Sequence, residues 1–285
     1  MLEQTFPAPI LDLPTAEEAR ALRLVALDMD GTFVRSDKSV AQEVWPVVDE
    51  LIDRGIVLVA ASGRQRGAIL ETMAPVADRI TVLSENGAVV WRGEDVMRAE
   101  VLDRQVVTEV ARTVRDLAAQ GRDTGLVAGA PSRAYVERTD DDFLAHVRHF
   151  YPAVEVVDDL TLVPEDVVKL ATWDAAPIVE AVVPAIEALD LEADLVRSHE
   201  HWADVMRAGA SKGASLTRLR TALGIPREAC AAFGDHHNDL AMLRSVGLPF
   251  AMANAEPEVK EAARFIAPSN DDDGVLQVLR ALLDA

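Results

Sequence analysis

With one cysteine in 285 residues, Cys230, the chain has no internal disulfide to staple its fold. The apolar run ACAAFGD around it predicts a small buried hydrophobe. Long apolar runs are missing as well: nothing approaches the ~18 uninterrupted apolar residues of a membrane span. The opening, MLEQTFPAPILDLPTAEEAR, carries acids and prolines where a secretory leader carries lysines and an apolar stretch, so a cytoplasmic location is expected. Positive charge is scarce too, with 28 Lys and Arg against 48 Asp and Glu and a net charge of −20. Such a field repels nucleic acid and anionic lipid, so neither is expected as a partner. An anionic small substrate would need a local source of positive charge: a metal, a lysine or a helix N-terminus.

Two phosphate cradles are also absent, since the chain contains neither G-x-G-x-x-G nor G-x-x-x-x-G-K-[ST]. DMDGTF lacks the sixth-position glycine and twelfth-position glutamate of a calcium-binding EF-hand loop, and NDDDGV has no acid where the twelfth ligand should be. There is no internal repeat, low-complexity tract or sustained heptad.

What remains is an ordinary globular composition, 49% apolar and 27% charged. The length suits about two domains. Apolar runs at 22–28, 56–62 and 79–84 alternate with amphipathic stretches at 41–55 and 66–77, an order that predicts βαβαβ and a parallel sheet. Because these strands are apolar throughout, the sheet should be covered on both faces. Pro46 is expected to disturb the first helix.

After SENGA the texture changes. A hairpin over 88–102 turns at 93–95, a helix follows at 103–121, and strands at 124–130, 133–138, 153–157, 167–174, 193–198 and 203–209 surround helices at 141–151 and 177–190. Neighbouring strands of this kind predict an α+β unit with an antiparallel sheet. From Ser211 the first texture returns, with helices at 212–224, 238–247, 256–265 and 274–285 and strands at 230–235 and 249–254. The expected division is a core at 1–87 and 209–285, interrupted by an inserted domain at 88–208.

Three apolar strands end in polar residues: Asp28 with Asp30, then Ser62 with Gly63 and Arg64, then Asp235. In an open parallel sheet ligands bind beyond the carboxyl ends of the strands, which makes these residues candidates for one crevice. Asp, Ser and Gly after a strand are equally ordinary turn and cap residues. Two carboxylates as close as Asp28 and Asp30 raise each other's proton affinity, so something must compensate.

DMDGTF, ASGR, the lysine of SKGASL and GDHHND, in that order, resemble the four motifs of the haloacid dehalogenase superfamily of phosphotransferases. SENGA and the long insert resemble its Cof-like branch, and the similarity runs from about Leu22 to Val275. The resemblance implies an α/β fold: a Rossmann-like parallel-sheet core with an inserted α+β C2-type (IIB) cap. It also implies a Mg²⁺-dependent phosphatase that hydrolyses a small phosphorylated metabolite through an aspartyl-phosphate.

Residue by residue, the resemblance makes Asp28 the nucleophile and Asp30 the acid and later the base. Thr32 would donate to phosphate or to a carboxylate. Ser62, with the neighbouring backbone N–H at Gly63, and Lys212 would hold the transferring phosphoryl oxygens. Mg²⁺ would be held by Asp28, the main-chain carbonyl of Asp30 and Asp235. Asp239 would stand behind these or replace a water, and Asn238 would orient its neighbours and the substrate. His236 and His237 read as loop-packing or substrate-facing rather than metal-binding. Arg64 reads as a charge neutraliser or a structural partner, and Arg133, Tyr135 and Arg138 as substrate contacts or an exposed salt-bridged strand. Two alternatives share the pattern: a phosphomutase of the phosphomannomutase type and a non-catalytic phosphometabolite-binding protein. Either a monomer or a homodimer is compatible with it.

Overall fold

The computed structural model describes residues 13–151 and 153–285. Most of the opening segment read above for a leader therefore lies outside the described residues. Fourteen strands run through these residues. The first seven are β1 (Leu24–Asp28), β2 (Val57–Ala61), β3 (Thr81–Ser84), β4 (Val89–Arg92), β5 (Asp95–Ala99), β6 (Thr124–Gly129) and β7 (Ala134–Val136). The rest are β8 (Val154–Val156), β9 (Lys169–Asp174), β10 (Ala193–His199), β11 (Trp202–Arg207), β12 (Cys230–Gly234), β13 (Leu248–Met252) and β14 (Phe265–Ala267). The fold is mixed α/β, a Rossmann-like core with an α+β cap. By its contacts the chain divides into two units, residues up to Ala60 with Leu216–Ala285, and Ala61–Ser215.

In the first unit the strand order is β14-β13-β12-β1-β2. β1 pairs parallel with β12, β12 with β13, and β13 with β14. Every residue of β1, β12 and β13 is buried, as expected of parallel strands covered on both faces. Phe233 and Phe250 stack at 4.6 Å across β12 and β13. The helix Val44–Asp53 turns Val44, Val47, Val48 and Leu51 into the core. Pro46 falls in its first turn, where a backbone N–H has no intrahelical partner, so the proline removes no helix hydrogen bond. Cys230 is buried, and that burial pushes its thiol up to about 11.

The helix expected over 256–265 is shorter, Pro257–Ala262. Its last predicted residue, Phe265, instead opens β14, because Arg264 N–H donates to Pro249 O and Phe265 pairs with Phe250. Sheet pairing of a short apolar run overrides local helix preference there.

In the second unit β3, β4 and β5 form an antiparallel ribbon with a bulge at Val90/Trp91. A separate six-stranded sheet runs β10-β11-β9-β6-β7-β8. It is antiparallel as predicted, except that β7 and β8 are parallel. The helix Asp141–Phe150 between those two strands supplies the crossover that a parallel pair requires. Alternation along the strands feeds two cores: Leu126 and Leu170 pack with Val106, Val110 and Val205, while Val127 and Trp173 pack with Phe143 and Trp202. The predicted helix 177–190 is broken into a 3₁₀ turn, Ile178–Glu180, and a short α-helix, Val182–Glu187.

Candidate active site

Parallel pairing brings two of the polar strand ends together. One residue beyond the Leu27–Phe233 pair, β1 ends at Asp28 and β12 at Gly234, with Asp235 next in the chain. Carboxylate oxygens of Asp28, Asp235 and Asp239 all lie within 4.8 Å of one another, with Asp28 and Asp239 buried and Asp235 half-buried. Asp239 is fixed by two backbone donors: its Oδ2 accepts from Asp235 N–H at 3.1 Å and His236 N–H at 3.2 Å. Gly234 permits this approach, since a Cβ there would lie 2.5 Å from the Asp239 Cβ.

The turn after β1 is built around Asp235. Gly31 has φ +77°, and a Cβ on it would sit 2.8 Å from the Asp235 carboxyl carbon. The buried Thr32 hydroxyl donates to Asp235 Oδ1 at 2.9 Å, which commits that donor to a carboxylate. Val34 N–H donates to Met29 O at 2.8 Å, and Asn254 Nδ2 donates to Gly31 O at 2.8 Å. Asn254 in turn accepts from Asn270 N–H at 3.1 Å.

Asp28 and Asp30 therefore occupy different surroundings. Asp28 belongs to the buried cluster, whereas Asp30 is half-exposed and its Oδ1 accepts from Lys38 Nζ at 3.1 Å. Three carboxylates this close, two of them out of water, repel one another strongly in a low local dielectric. Hard oxygen donors in that arrangement fit a hard divalent cation such as Mg²⁺. Among the described residues no other group of His, Cys, Asp and Glu side chains converges in this way. His236 and His237 face acids instead: His237 is paired through Nδ1 with Glu256 and lies 2.8 Å from Glu258, and His236 lies 3.3 Å from Glu256. The hydrogen bond to Glu256 raises the His237 pKa above its ordinary value. Asn238 lies in the 3₁₀ turn His237–Asp239.

In the second unit the ASGR segment follows β2. Ser62 is buried, its N–H donates to Leu83 O at 2.9 Å, and its Oγ accepts from Arg64 N–H at 3.2 Å. Lys212 opens the helix Lys212–Ala222 and is only 1% exposed, a burial that excludes a solvated lysine. One turn, Glu85–Gly87, touches both motifs. Glu85 N–H donates to Arg64 O at 3.0 Å and Asn86 N–H to Ser62 O at 2.9 Å. A Cβ on Gly63 would approach Asn86 Oδ1 to 3.0 Å. On the other side Gly87, at φ +87°, lies against Ser211 and Lys212, where a Cβ would come within 2.8 Å of Lys212 N, and its carbonyl accepts from Ser215 Oγ at 2.6 Å. Sequence reasoning treated SENGA as a boundary marker and missed these three residues; the Asn-Gly pair was the available signal.

The cap candidates are engaged with one another and with nearby acids. Arg133 pairs with Glu155 at 2.9 Å, Arg138 pairs with Asp123 and Asp140 at 2.7 and 2.8 Å, and Tyr135 donates its hydroxyl to Glu165 at 2.7 Å. The ion pairs of the plainer expectation are there, but the strand is not exposed: β7 is buried throughout and Tyr135 is 1% exposed, because its ring packs into the core of this unit.

A family model described as haloacid dehalogenase-like hydrolase matches residues 25–279. An Escherichia coli (strain K12) protein named 5-amino-6-(5-phospho-D-ribitylamino)uracil phosphatase YbjI is 29% identical over 267 residues, which cover 92% of this chain and 97% of that one. A crystal structure from Eubacterium rectale superposes with a TM-score of 0.85 at 28% identity, covering 92% of this chain and 99% of its own. The subclass IIB sugar phosphatase BT4131 shares the fold, with a TM-score of 0.75 at 20% identity over 92% of this chain and 100% of its own.

Proposed function

The chain belongs to the haloacid dehalogenase-like hydrolase family and is a phosphatase of that family, and we propose that it hydrolyses a small phosphorylated metabolite, with Mg²⁺, through an aspartyl-phosphate on Asp28. The observation that carries this reading is the Asp28, Asp235 and Asp239 cluster beside an Asp30 with separate surroundings.

In the proposed reaction an Asp28 carboxylate oxygen attacks phosphorus in line. The bond to the leaving oxygen breaks as Asp30 gives that oxygen its proton. Asp30 then takes a proton from water, the water oxygen attacks the aspartyl-phosphate, and inorganic phosphate leaves with Asp28 restored. Proton transfer by a positioned group of this kind contributes about 10²–10⁴ in rate. Asp30 is half-exposed and outside the carboxylate cluster, open to a leaving group and to water, while Asp28 is buried within the cluster beside the proposed cation.

Asp28, the Asp30 carbonyl and Asp235 would hold Mg²⁺, with Asp239 beside them, and the ion would offset the repulsion between carboxylate and phosphate. The two backbone N–H groups on Asp239 and the Thr32 hydroxyl on Asp235 support an orienting function for both contacts. Ser62, the backbone N–H at Gly63, and Lys212 are assigned to the phosphoryl oxygens, and Asn238 to the substrate. The Escherichia coli relative suggests a ribityl phosphate as the first substrate to try.

The test is phosphate release from p-nitrophenyl phosphate and a phosphometabolite panel, with and without Mg²⁺. Wild-type protein should release phosphate only with the metal, and Asp28→Asn protein should release none. Native-rate turnover by Asp28→Asn would sink the nucleophile assignment. Isomerisation of a hexose phosphate without phosphate release would mark a mutase instead.

A further inference from the structure

A lysine sits where a buried strand has no ordinary use for one. Lys169 opens β9, the strand between β6 and β11, and is 4% exposed. Its ammonium pairs with the Glu85 carboxylate, lies 3.9 Å from Asp204 Oδ2 and donates to the Gly63 carbonyl at 3.3 Å. The Tyr151 ring closes the site, 5.3 Å from the nitrogen. Burial alone would lower the lysine's pKa, but Asp204 and Glu85 outweigh it, and the pKa ends well above the ordinary value. Burial pushes Glu85 and Asp204 upward.

The groups it holds are not arbitrary. Glu85 and Asn86 are consecutive non-glycine residues at φ +52° and +57°, a conformation that persists only when its surroundings impose it. Those two residues supply the N–H groups that fasten Arg64 O and Ser62 O, and Gly87 next to them packs on Lys212. Lys169 thus reaches the segment carrying Ser62 twice, directly through the Gly63 carbonyl and indirectly through the side chain of Glu85.

We propose that Lys169 is a positioning residue: with Glu85 as its relay, it sets the geometry in which the Ser62–Gly63 segment and Lys212 receive a phosphoryl group. The proposal rests on the phosphatase reading above. A buried ion cluster serving stability alone would need no bond to Gly63 and no strained Glu85. The neutral strand residue expected in a run such as VVKLATWD would make neither contact.

The experiment compares wild-type protein, Lys169→Arg, and Lys169→Met combined with Glu85→Gln and Asp204→Asn, which removes the whole charge cluster and so avoids stranding a buried carboxylate. Each is checked for folding by circular dichroism and melting, then for p-nitrophenyl phosphate hydrolysis with Mg²⁺ and for inorganic phosphate binding by calorimetry. The neutral variant should fold and keep its melting response to Mg²⁺, because the Asp28 cluster is untouched. Its phosphate affinity and kcat/KM should fall about 10–100-fold, the range known for partners that orient metal ligands. Lys169→Arg should recover part of that loss. A folded neutral variant with wild-type phosphate affinity, KM and kcat overturns the proposal. Failure of both variants to fold also overturns it, because Lys169 would then be a folding residue. If wild-type protein releases no phosphate from any phosphomonoester, the phosphatase reading fails, while the phosphate titrations still decide the role of Lys169.

Discussion

Asp28 and Asp30 are separated by a single residue, yet one is buried among carboxylates and the other reaches toward Lys38. Gly31 makes that divergence possible by turning the backbone through φ +77° directly against Asp235. Gly31→Ala should destabilise the protein by about 1–3 kcal/mol through the strained backbone. The displaced Asp235 should also weaken Mg²⁺ binding. Gly55 is the control: its φ is +79°, but a Cβ there meets nothing within 4 Å, so Gly55→Ala should cost stability without changing metal affinity. Urea denaturation and Mg²⁺ titration of the two variants check both halves. The pressure of Gly31 on Asp235 was not legible in the sequence, because that contact joins residues about two hundred positions apart in the chain.

At the scale of elements, legibility did not follow length: the three-residue β7 and β8 fall inside predicted strands, whereas the predicted helix 177–190 breaks into two pieces. The helix predicted over 103–121 forms as Arg104–Ala119, with Asp103 outside it as the cap. β14 was not predicted: the expected helix ran to Phe265, its first residue, and Ile266 and Ala267 fell in no predicted element, because what makes them a strand is pairing with β13. Helix Asp141–Phe150 offers a test of cap chemistry. Asp140 accepts from Phe143 N–H at 3.1 Å, and its hydrogen bond to Arg138 lowers its carboxyl to about 2. Asp140→Ala should lower stability by about 1 kcal/mol at neutral pH. A depressed carboxyl stabilises the fold above its unfolded pKa and loses that contribution as pH falls toward the folded one. The gap between wild type and variant should therefore be constant at neutral pH, begin to close below about pH 4, and narrow toward pH 2. Melting curves across that range read it directly, and a gap that widened on acidification would contradict it.

At the scale of the molecule, a net charge of −20 surrounds a site proposed to take an anion. No helix among the described residues is long and apolar enough to cross a membrane. Local cations must invert the field, and a metal that binds only the folded protein adds to its stability. At about 100 times its dissociation constant, Mg²⁺ should contribute roughly 2.7 kcal/mol. A melting temperature that rises with Mg²⁺, returns with chelator and fails to rise in Asp235→Asn is the expected result. Equal shifts in wild type and Asp235→Asn would remove Asp235 from the metal site.

Most of the strands and helices, the covered parallel sheet and the four motif segments follow from the sequence alone, because each depends on residues close together in the chain. The burial of Lys212, the convergence of Asp28 with Asp235 and Asp239, and the grip of Lys169 on Glu85 and Gly63 were decided only by tertiary structure. Lys169 and Gly63 stand 106 residues apart. Local periodicity carries no information about such pairs; only the folding of the inserted segment back onto the Ser62 segment makes them neighbours.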